Sequence, residues 1–221
     1  MNETSNENPV SDLDLLKSSV EQKVNFIRIT AIAIFYLIHL WHVSAARLGA
    51  TTASFIGFDA NQPMSPNAHI AISLLCFGWL MQAFGIHFMA HNRLLPDRLI
   101  TGLTIADIMW LTAILCVSTG AAGPMVIGYF LIIVLTGIRF DLRLIRFATV
   151  AAIVGYLAVL GVAKWPVGWI KEFEIQTVPR YHQLMIVVAL AFCGVTVGQI
   201  VRHAYIMTGA LNKNRSTGDS S

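Results

Sequence analysis

Long apolar stretches alternate with short polar segments along this chain. The apolar stretches run approximately over residues 26–46, 69–90, 100–118, 124–138, 147–163 and 182–201. A helix crosses the hydrocarbon layer of a membrane, about 30 Å thick, with about 20 residues. The pattern therefore predicts an all-α integral membrane protein, built as a bundle of six transmembrane helices of which the fourth is the shortest.

Composition agrees with this prediction. The 221 residues are 56% hydrophobic and 12% charged, with a mean hydropathy of +0.66. Such a chain is too apolar for an ordinary soluble domain, and a surface in contact with the lipid bilayer accounts for the excess. The cysteines lie inside apolar stretches and are expected to pack there without disulfides. The net charge of +3, with no basic aromatic face, gives no sign of nucleic-acid binding.

The distribution of Lys and Arg predicts the orientation of the helices, because positive residues are preferentially retained in cytoplasmic segments. With the amino end inside, eleven of the 15 Lys and Arg residues fall in inner segments. The other four, in outer segments, are Arg47, Lys164, Lys171 and Arg180. Both ends of the chain are therefore expected in the cytoplasm.

The two ends of the chain differ from the transmembrane domain between them, residues 26–206. Residues 1–25 are polar, and a helix over 11–28 has an apolar stripe made of Leu16, Val20, Val24 and Ile27. This amphipathic segment is expected to lie on the inner leaflet or to run continuously into the first span. Residues 207–221 are expected to form a disordered cytoplasmic tail, because the end of the chain is small and polar.

Four histidines are expected toward the outer side of the membrane. His39 and His42 follow Tyr36 at intervals of three residues on one face of the first span, while His69 and His182 begin the second and sixth spans. Imidazoles from three helices can bind zinc or copper, or ligate a haem b. Alternatively, they lie at the interface or bond to neighbouring carbonyls, and the sequence leaves both interpretations open.

Asp107 is the only acidic residue well inside an apolar stretch. A carboxylate in the membrane needs a partner, and Arg139 and Arg143 are expected at the same inner level. We predict a structural ion pair, such as Asp107 with Arg139, that links the third helix to the fourth. A proton or ion relay is the alternative, although it normally needs more than one buried carboxylate.

Gly194 and Gly198 form a GxxxG motif on the sixth helix. This spacing permits two helices to approach closely. Packing within the bundle is the first interpretation of the motif, and formation of a homodimer is the second.

Three short segments resemble a known class of membrane modules. They are Gly123-Pro124-Met125 through Gly128-Tyr129-Phe130, Gly137-Ile138-Arg139-Phe140 and Gly155-Tyr156-Leu157. In this region the chain resembles the six-helix modules that precede bacterial histidine kinases, adenylate cyclases and planctomycete-type protein kinases. The resemblance implies a sensor or anchor in a bacterial inner membrane, and some cyclase-linked modules of this kind bind haem. Those modules continue into an output domain, which is not evident after the sixth stretch, so a partner protein is expected to carry the signal.

These observations lead to three functional hypotheses. The first is a sensory or regulatory six-helix module that signals through a separate cytoplasmic protein, with residues 11–28 and 139–146 as the contact surface. The second is a redox protein that binds haem b or a transition metal at the outer histidines. The third, a small transporter or channel, is less favoured because few buried polar groups are expected. No catalytic triad, carboxylate pair or nucleotide fingerprint is evident, so the sequence does not indicate an enzyme.

Overall fold

The computed structural model describes residues 9–48, 66–91, 97–165 and 178–218. These residues contain no strand and form six α-helices, which are α1 (Pro9–Leu48), α2 (Pro66–His91), α3 (Asp97–Val117), α4 (Ile127–Ile138), α5 (Leu142–Lys164) and α6 (Arg180–Gly218). Single 3₁₀ turns at Gly120–Ala122 and Pro124–Val126 precede α4. The prediction of an all-α chain is confirmed.

Most of these helices have the length and composition of membrane spans. Five segments are long and apolar enough to cross a membrane: Ser19–Trp41, Pro66–Met89, Leu99–Val117, Leu142–Lys164 and Arg180–Thr208. The apolar segment Pro124–Ile138 is shorter. Its 15 residues extend only about 22 Å as an α-helix, which is less than the thickness of the hydrocarbon layer. The described part of the chain therefore contains five apolar helices that could cross a membrane and one shorter apolar helix.

The helix surfaces are apolar outside and partly polar inside. Phe26 and Leu74 are 69% and 66% exposed, whereas Asn25 and Arg28 are 0% and 4% exposed. In water, this arrangement would destabilise the fold, because the exposed apolar side chains would be hydrated and the buried polar groups would be desolvated. In lipid the same arrangement is favourable, since polar side chains are directed away from hydrocarbon.

The chain divides into two units, and the first, Met1–Ile100, contains a hairpin of α1 and α2. The two helices are antiparallel, because Asn25 bonds to the carbonyl of Ala83 while His39 bonds to His69. α1 is one helix of 40 residues, about 60 Å long. The amino-terminal segment from Pro9 onward is thus continuous with the first span.

The buried face of α1 differs from the apolar stripe predicted for it. Val24 is buried, but Ile27 is 37% exposed, and Asn25 and Arg28 occupy the buried face beside Val24. Leu16 lies outside the described side chains. The reason for the difference is that apolar side chains gain little by leaving lipid, whereas polar ones gain hydrogen-bond partners within the hairpin.

The second unit, Thr101–Ser221, contains the rest of α3 together with α4, α5 and α6. Its helices approach one another at glycines. A Cβ at Gly137 of α4 would lie 2.5 Å from Val197 of α6. A Cβ at Gly155 of α5 would lie 2.8 Å from the hydroxyl of Thr112 on α3 and 3.1 Å from that of Tyr129 on α4. A Cβ at either position would therefore force the neighbouring side chains to move.

Two turns of the second unit have positive backbone φ angles. Gly120, with φ of 68°, lies in the tight turn between α3 and α4, where glycine meets no steric penalty. Phe140, with φ of 55°, lies between α4 and α5, and its carbonyl accepts a hydrogen bond from the hydroxyl of Tyr205 at 2.8 Å. Asp141 then caps α5 by accepting from the N–H of Arg143 at 2.8 Å. These contacts fix the turn that carries Arg143.

α6 continues beyond its apolar part. The helix reaches Gly218, across a segment for which the sequence predicts a disordered tail. No proline interrupts the chain there, and adding residues to an existing helix is far less costly than starting a new one. The backbone of 207–218 is therefore helical, in contrast to the prediction.

Candidate functional site

Two of the four predicted histidines meet in the hairpin. Nε2 of His39 on α1 lies 3.0 Å from Nδ1 of His69 on α2, and the two rings are stacked with centroids 5.2 Å apart. His39 is buried and His69 is half-buried. At this separation one imidazole donates a hydrogen bond and the other accepts it. The sequence left open whether the histidines converge, and the structure brings this pair, 30 positions apart in the chain, into contact.

A second polar contact lies next to the histidines. The hydroxyl of Tyr36 donates to that of Ser73 at 3.4 Å, and the ring of Tyr36 is stacked near that of His39 with centroids 6.2 Å apart. We call Tyr36, His39, His69 and Ser73 the imidazole cluster. It joins α1 to α2 through side chains from both helices, so a change at either histidine alters the contact between the helices.

The other two predicted histidines are His42 and His182. The side chain of His42 lies outside the described residues. His182 belongs to the second unit, where it is exposed at the start of α6 and its ring meets the edge of Tyr181 at 6.4 Å. Among the described side chains, no three His, Cys, Asp or Glu residues are grouped as ligands for a metal ion. Haem or metal binding at the outer histidines stays a prediction.

A polar group that the sequence analysis missed lies nearer the other end of the hairpin. Asn25 donates through Nδ2 to the carbonyl of Ala83 at 2.9 Å, and its Oδ1 accepts from Arg28 at 3.0 Å. Glu21 on the same stripe of α1 is also buried, at 6% exposure. We call Glu21, Asn25 and Arg28 the inner polar group. Their spacing of four and three residues was the available signal, since it places all three on one helix face.

The two groups form a polar seam along the hairpin. Asn25 and His39 are 14 residues apart, which is about 21 Å along α1. The two ends of the seam are therefore separated by most of the roughly 30 Å hydrocarbon thickness, and the buried apolar side chain of Ile32 lies between them. Its chemistry consists of an imidazole pair at one end and oppositely charged side chains at the other. Such groups can exchange hydrogen-bond partners or protons.

Asp107 and Arg139 occupy positions compatible with the predicted link between α3 and α4. Asp107 is buried on α3. Arg139, which follows the last residue of α4, donates through Nη1 to the hydroxyl of Thr104 at 3.3 Å. Thr104 lies one turn before Asp107 on the same face of α3, so the guanidinium of Arg139 reaches the face that carries the carboxylate. The hydrogen bond between Arg139 and Thr104 links α3 to the end of α4. An Asp107–Arg139 ion pair stays a prediction. Arg143 is exposed in the first turn of α5.

The two glycines of the GxxxG motif have different surroundings. A Cβ at Gly194 would overlap the side chain of Thr149 on α5, so this glycine allows α6 to pack closely against α5. At Gly198, a Cβ would meet no atom of the described chain within 4 Å. Intrabundle packing, the first interpretation of the motif, therefore applies to Gly194.

Comparison of the chain with protein-family models, with curated proteins and with solved structures finds no match in any of the three. The resemblance to bacterial six-helix signalling modules stays a prediction from the short segments between Gly123 and Leu157.

Proposed function

We propose that this chain is a six-span sensory or regulatory module of a bacterial inner membrane, with both ends in the cytoplasm, and that it acts on a separate cytoplasmic protein. The five long apolar helices and the uneven distribution of Lys and Arg support its placement in the membrane. The segments that resemble kinase-linked and cyclase-linked modules support the sensory role.

The observation that carries the proposal is the course of α1. The same continuous helix contains His39, one member of the imidazole pair, and extends back to Pro9. The 30 residues between them span about 45 Å. Because the helix is continuous, we propose that a displacement at His39 is transmitted to its amino-terminal segment. The proposed contact surface for the partner comprises the part of residues 11–28 that precedes the span beginning at Ser19 and, in the second unit, residues 139–146.

The polar seam supplies the element that responds. Hydrogen bonds between helices depend on direction, so when the His39–His69 bond is replaced, the side chains of the seam settle into a different set of partners. Signalling modules commonly use small helix shifts of about 1–2 Å at such interfaces. We infer that a ligand or charge arriving at the imidazole cluster shifts α1 against α2.

Distance measurement across the inner part of the hairpin tests this coupling. Spin labels are attached at Lys23 and Phe88, both exposed, in a protein whose native cysteines are replaced by alanine. The full chain is then studied in nanodiscs by pulsed electron paramagnetic resonance. His69→Phe removes the imidazole bond, and we expect the distribution of distances between the labels to change by about 1–2 Å or more.

The matched control is Ile70→Phe, which adds bulk at an exposed position next to His69. It is expected to leave the distances unchanged. Identical distance distributions in the wild type and in His69→Phe would show that the cluster does not move the inner end of α1, and the sensory proposal would then be rejected.

The second hypothesis, metal binding, gains one specific observation. Two imidazole nitrogens on one tetrahedral zinc ion, each about 2.0–2.1 Å from it, are about 3.3 Å apart. Nε2 of His39 and Nδ1 of His69 are 3.0 Å apart, so a metal ion bound by both nitrogens would replace the hydrogen bond between them. Metal analysis of the purified protein tests the hypothesis: stoichiometric metal that is lost in His39→Ala and His69→Ala supports it. An absorption spectrum of the same sample tests haem b, which requires a Soret band.

A further inference from the structure

An open apolar groove lies between α3 and α5 of the second unit. Its volume is about 410 Å³. The side chains of its walls are mainly aliphatic and include Ile105, Met109, Ala113, Ala151, Val154 and Ala158. α5 contributes small residues to this wall, which is why the two helices leave a space between them.

The floor of the groove offers no free hydrogen-bonding group. The hydroxyl of Thr112 donates to the carbonyl of Ile108 at 2.6 Å and lies 2.8 Å from the hydroxyl of Tyr129. Gly155 lies directly against both hydroxyls. A ligand in the groove therefore meets hydrocarbon and satisfied hydroxyls only, so its chemistry has to be apolar at this depth.

Positive charge lies along the same side of α5, toward its amino end. Arg143 and Arg146 are exposed and three residues apart, so their side chains are neighbours. Arg143 precedes Val154 by 11 residues, about three helical turns, which places both on one stripe. The nearby carboxylate of Asp141 is engaged by the N–H groups of Arg143 and Leu144. The charge at this end of the groove is thus predominantly positive.

The distance along α5 from Arg143 to Val154 matches the thickness of the hydrocarbon layer in one leaflet of a bilayer. Eleven residues correspond to about 16 Å along α5, and half of the hydrocarbon thickness is about 15 Å. An anionic headgroup at the arginines therefore places the end of its acyl chain at the level of Val154. We propose that the groove holds one acyl chain of an anionic phospholipid whose phosphate is bound by Arg143 and Arg146. The proposal depends on the membrane placement in the proposed function, but not on the sensory role.

Native mass spectrometry of the full chain in detergent tests the proposal. The protein is incubated with equal concentrations of phosphatidylglycerol and phosphatidylcholine, and the lipids retained are counted. We expect preferential retention of one phosphatidylglycerol. Replacing both arginines (Arg143→Gln with Arg146→Gln) should lower that preference about fivefold for each arginine, because each contributes a comparable attraction for anionic lipid. Arg202→Gln, an exposed arginine of α6, is the matched control and should change little.

The groove itself is tested by filling it. Val154→Phe should abolish retention of the lipid, whereas Leu157→Phe, at an exposed neighbouring position outside the groove, should not. Ala151→Phe fills the same groove and provides the test if Val154→Phe does not fold. If Arg202→Gln and the double variant lost the preference for phosphatidylglycerol equally, general surface charge would explain lipid retention and the proposal would be overturned. Unchanged retention in a folded groove-filling variant would overturn it too, as would wild-type protein that retains no lipid.

The same experiment separates this proposal from the proposed function. Lipid retention is measured without any signal, so it persists if His69→Phe fails to move α1. Conversely, loss of lipid binding leaves the distance measurement in the hairpin unaffected.

Discussion

The hairpin of α1 and α2 and the unit of α3 to α6 hold their helices together by different means. In the hairpin, side chains such as Asn25 and His39 form hydrogen bonds from one helix to the other. In the second unit, glycines such as Gly155 and Gly194 allow direct contact between helices, and hydroxyl groups fill the remaining space.

This difference indicates different roles for the two units. A glycine contact is steric, and any displacement of the helices loses dispersion contacts at once. A hydrogen bond between side chains can be exchanged for another one of similar free energy. The second unit is therefore suited to act as a rigid frame, while the hairpin is suited to change its internal contacts. The predictions below test this contrast, beginning with the largest effect.

Removal of a glycine contact should have the largest effect on the second unit. In Gly194→Ala, the added Cβ overlaps Thr149, whose hydroxyl is held by the carbonyl of Ile145 at 2.8 Å. Overpacking of this kind costs about 1–3 kcal/mol. The free energy of unfolding, measured in mixed micelles by denaturant titration, should fall by that amount relative to Gly198→Ala.

Gly198→Ala is a close control because it lies one turn away on α6, and the gain in helix propensity is shared by both variants. At this position the new methyl group meets nothing in the described chain within 4 Å. Equal stabilities of the two variants would show that Gly194 is not a packing contact. A dimer weakened by Gly198→Ala alone would assign the second half of the motif to association between copies.

Asn25→Ala should produce the next largest effect. It removes the bond to the carbonyl of Ala83 and deprives buried Arg28 of the Asn25 oxygen. Leaving a buried polar group with fewer partners costs about 1–2 kcal/mol. The control is Thr30→Ala, because Thr30 is exposed and bonds only within its own helix, to the carbonyl of Phe26. If both variants unfold at the same denaturant concentration, the inner polar group does not stabilise the hairpin.

The imidazole pair should contribute less, because interhelical hydrogen bonds in membrane proteins average about 0.6 kcal/mol. His39→Ala, His69→Ala and the double variant form a double-mutant cycle. We expect a coupling free energy of about 0.5–1 kcal/mol between the two positions. A coupling near zero would mean that the 3.0 Å contact between Nε2 of His39 and Nδ1 of His69 adds nothing to stability. The same cycle with His87, exposed on α2, in place of His69 should give no coupling.

The regular part of the fold could be predicted from the sequence because lipid imposes a simple length rule on apolar segments. All six predicted stretches lie largely within helices, and the short fourth one is a short helix after a turn at Pro124. The face of α1 that is buried was harder to predict. In a water-soluble helix the apolar stripe is buried, but in lipid Ile27 is exposed and Asn25 and Arg28 are buried.

The candidate site could be predicted only in part. The periodicity of Tyr36 and His39 indicated a polar face, and the antiparallel course of two consecutive spans brought His69 to the same level. The inner polar group was missed because Arg28 was counted as a positive residue of a cytoplasmic segment. A charged residue such as Arg28, at the end of a span, can lie either in the cytoplasmic segment or in the interface between helices. Only the position of α2 shows that Arg28 is buried.

The smallest effect is expected at the turn between α4 and α5. Tyr205→Phe keeps the ring that meets Phe140 at 6.4 Å but removes the hydroxyl that donates to its carbonyl. Because the bond is exposed, the loss should be about 0.5 kcal/mol. Amide hydrogen exchange near Arg143 should become faster, since Phe140, whose φ angle is positive, loses the hydrogen bond to its carbonyl. Tyr181→Phe removes an equally exposed hydroxyl at the opposite end of α6 and should leave that exchange unchanged. Unaltered exchange in Tyr205→Phe would mean that the Asp141 cap alone holds the turn. The contact with Tyr205 of α6 would then contribute nothing to the rigidity of the second unit at this turn.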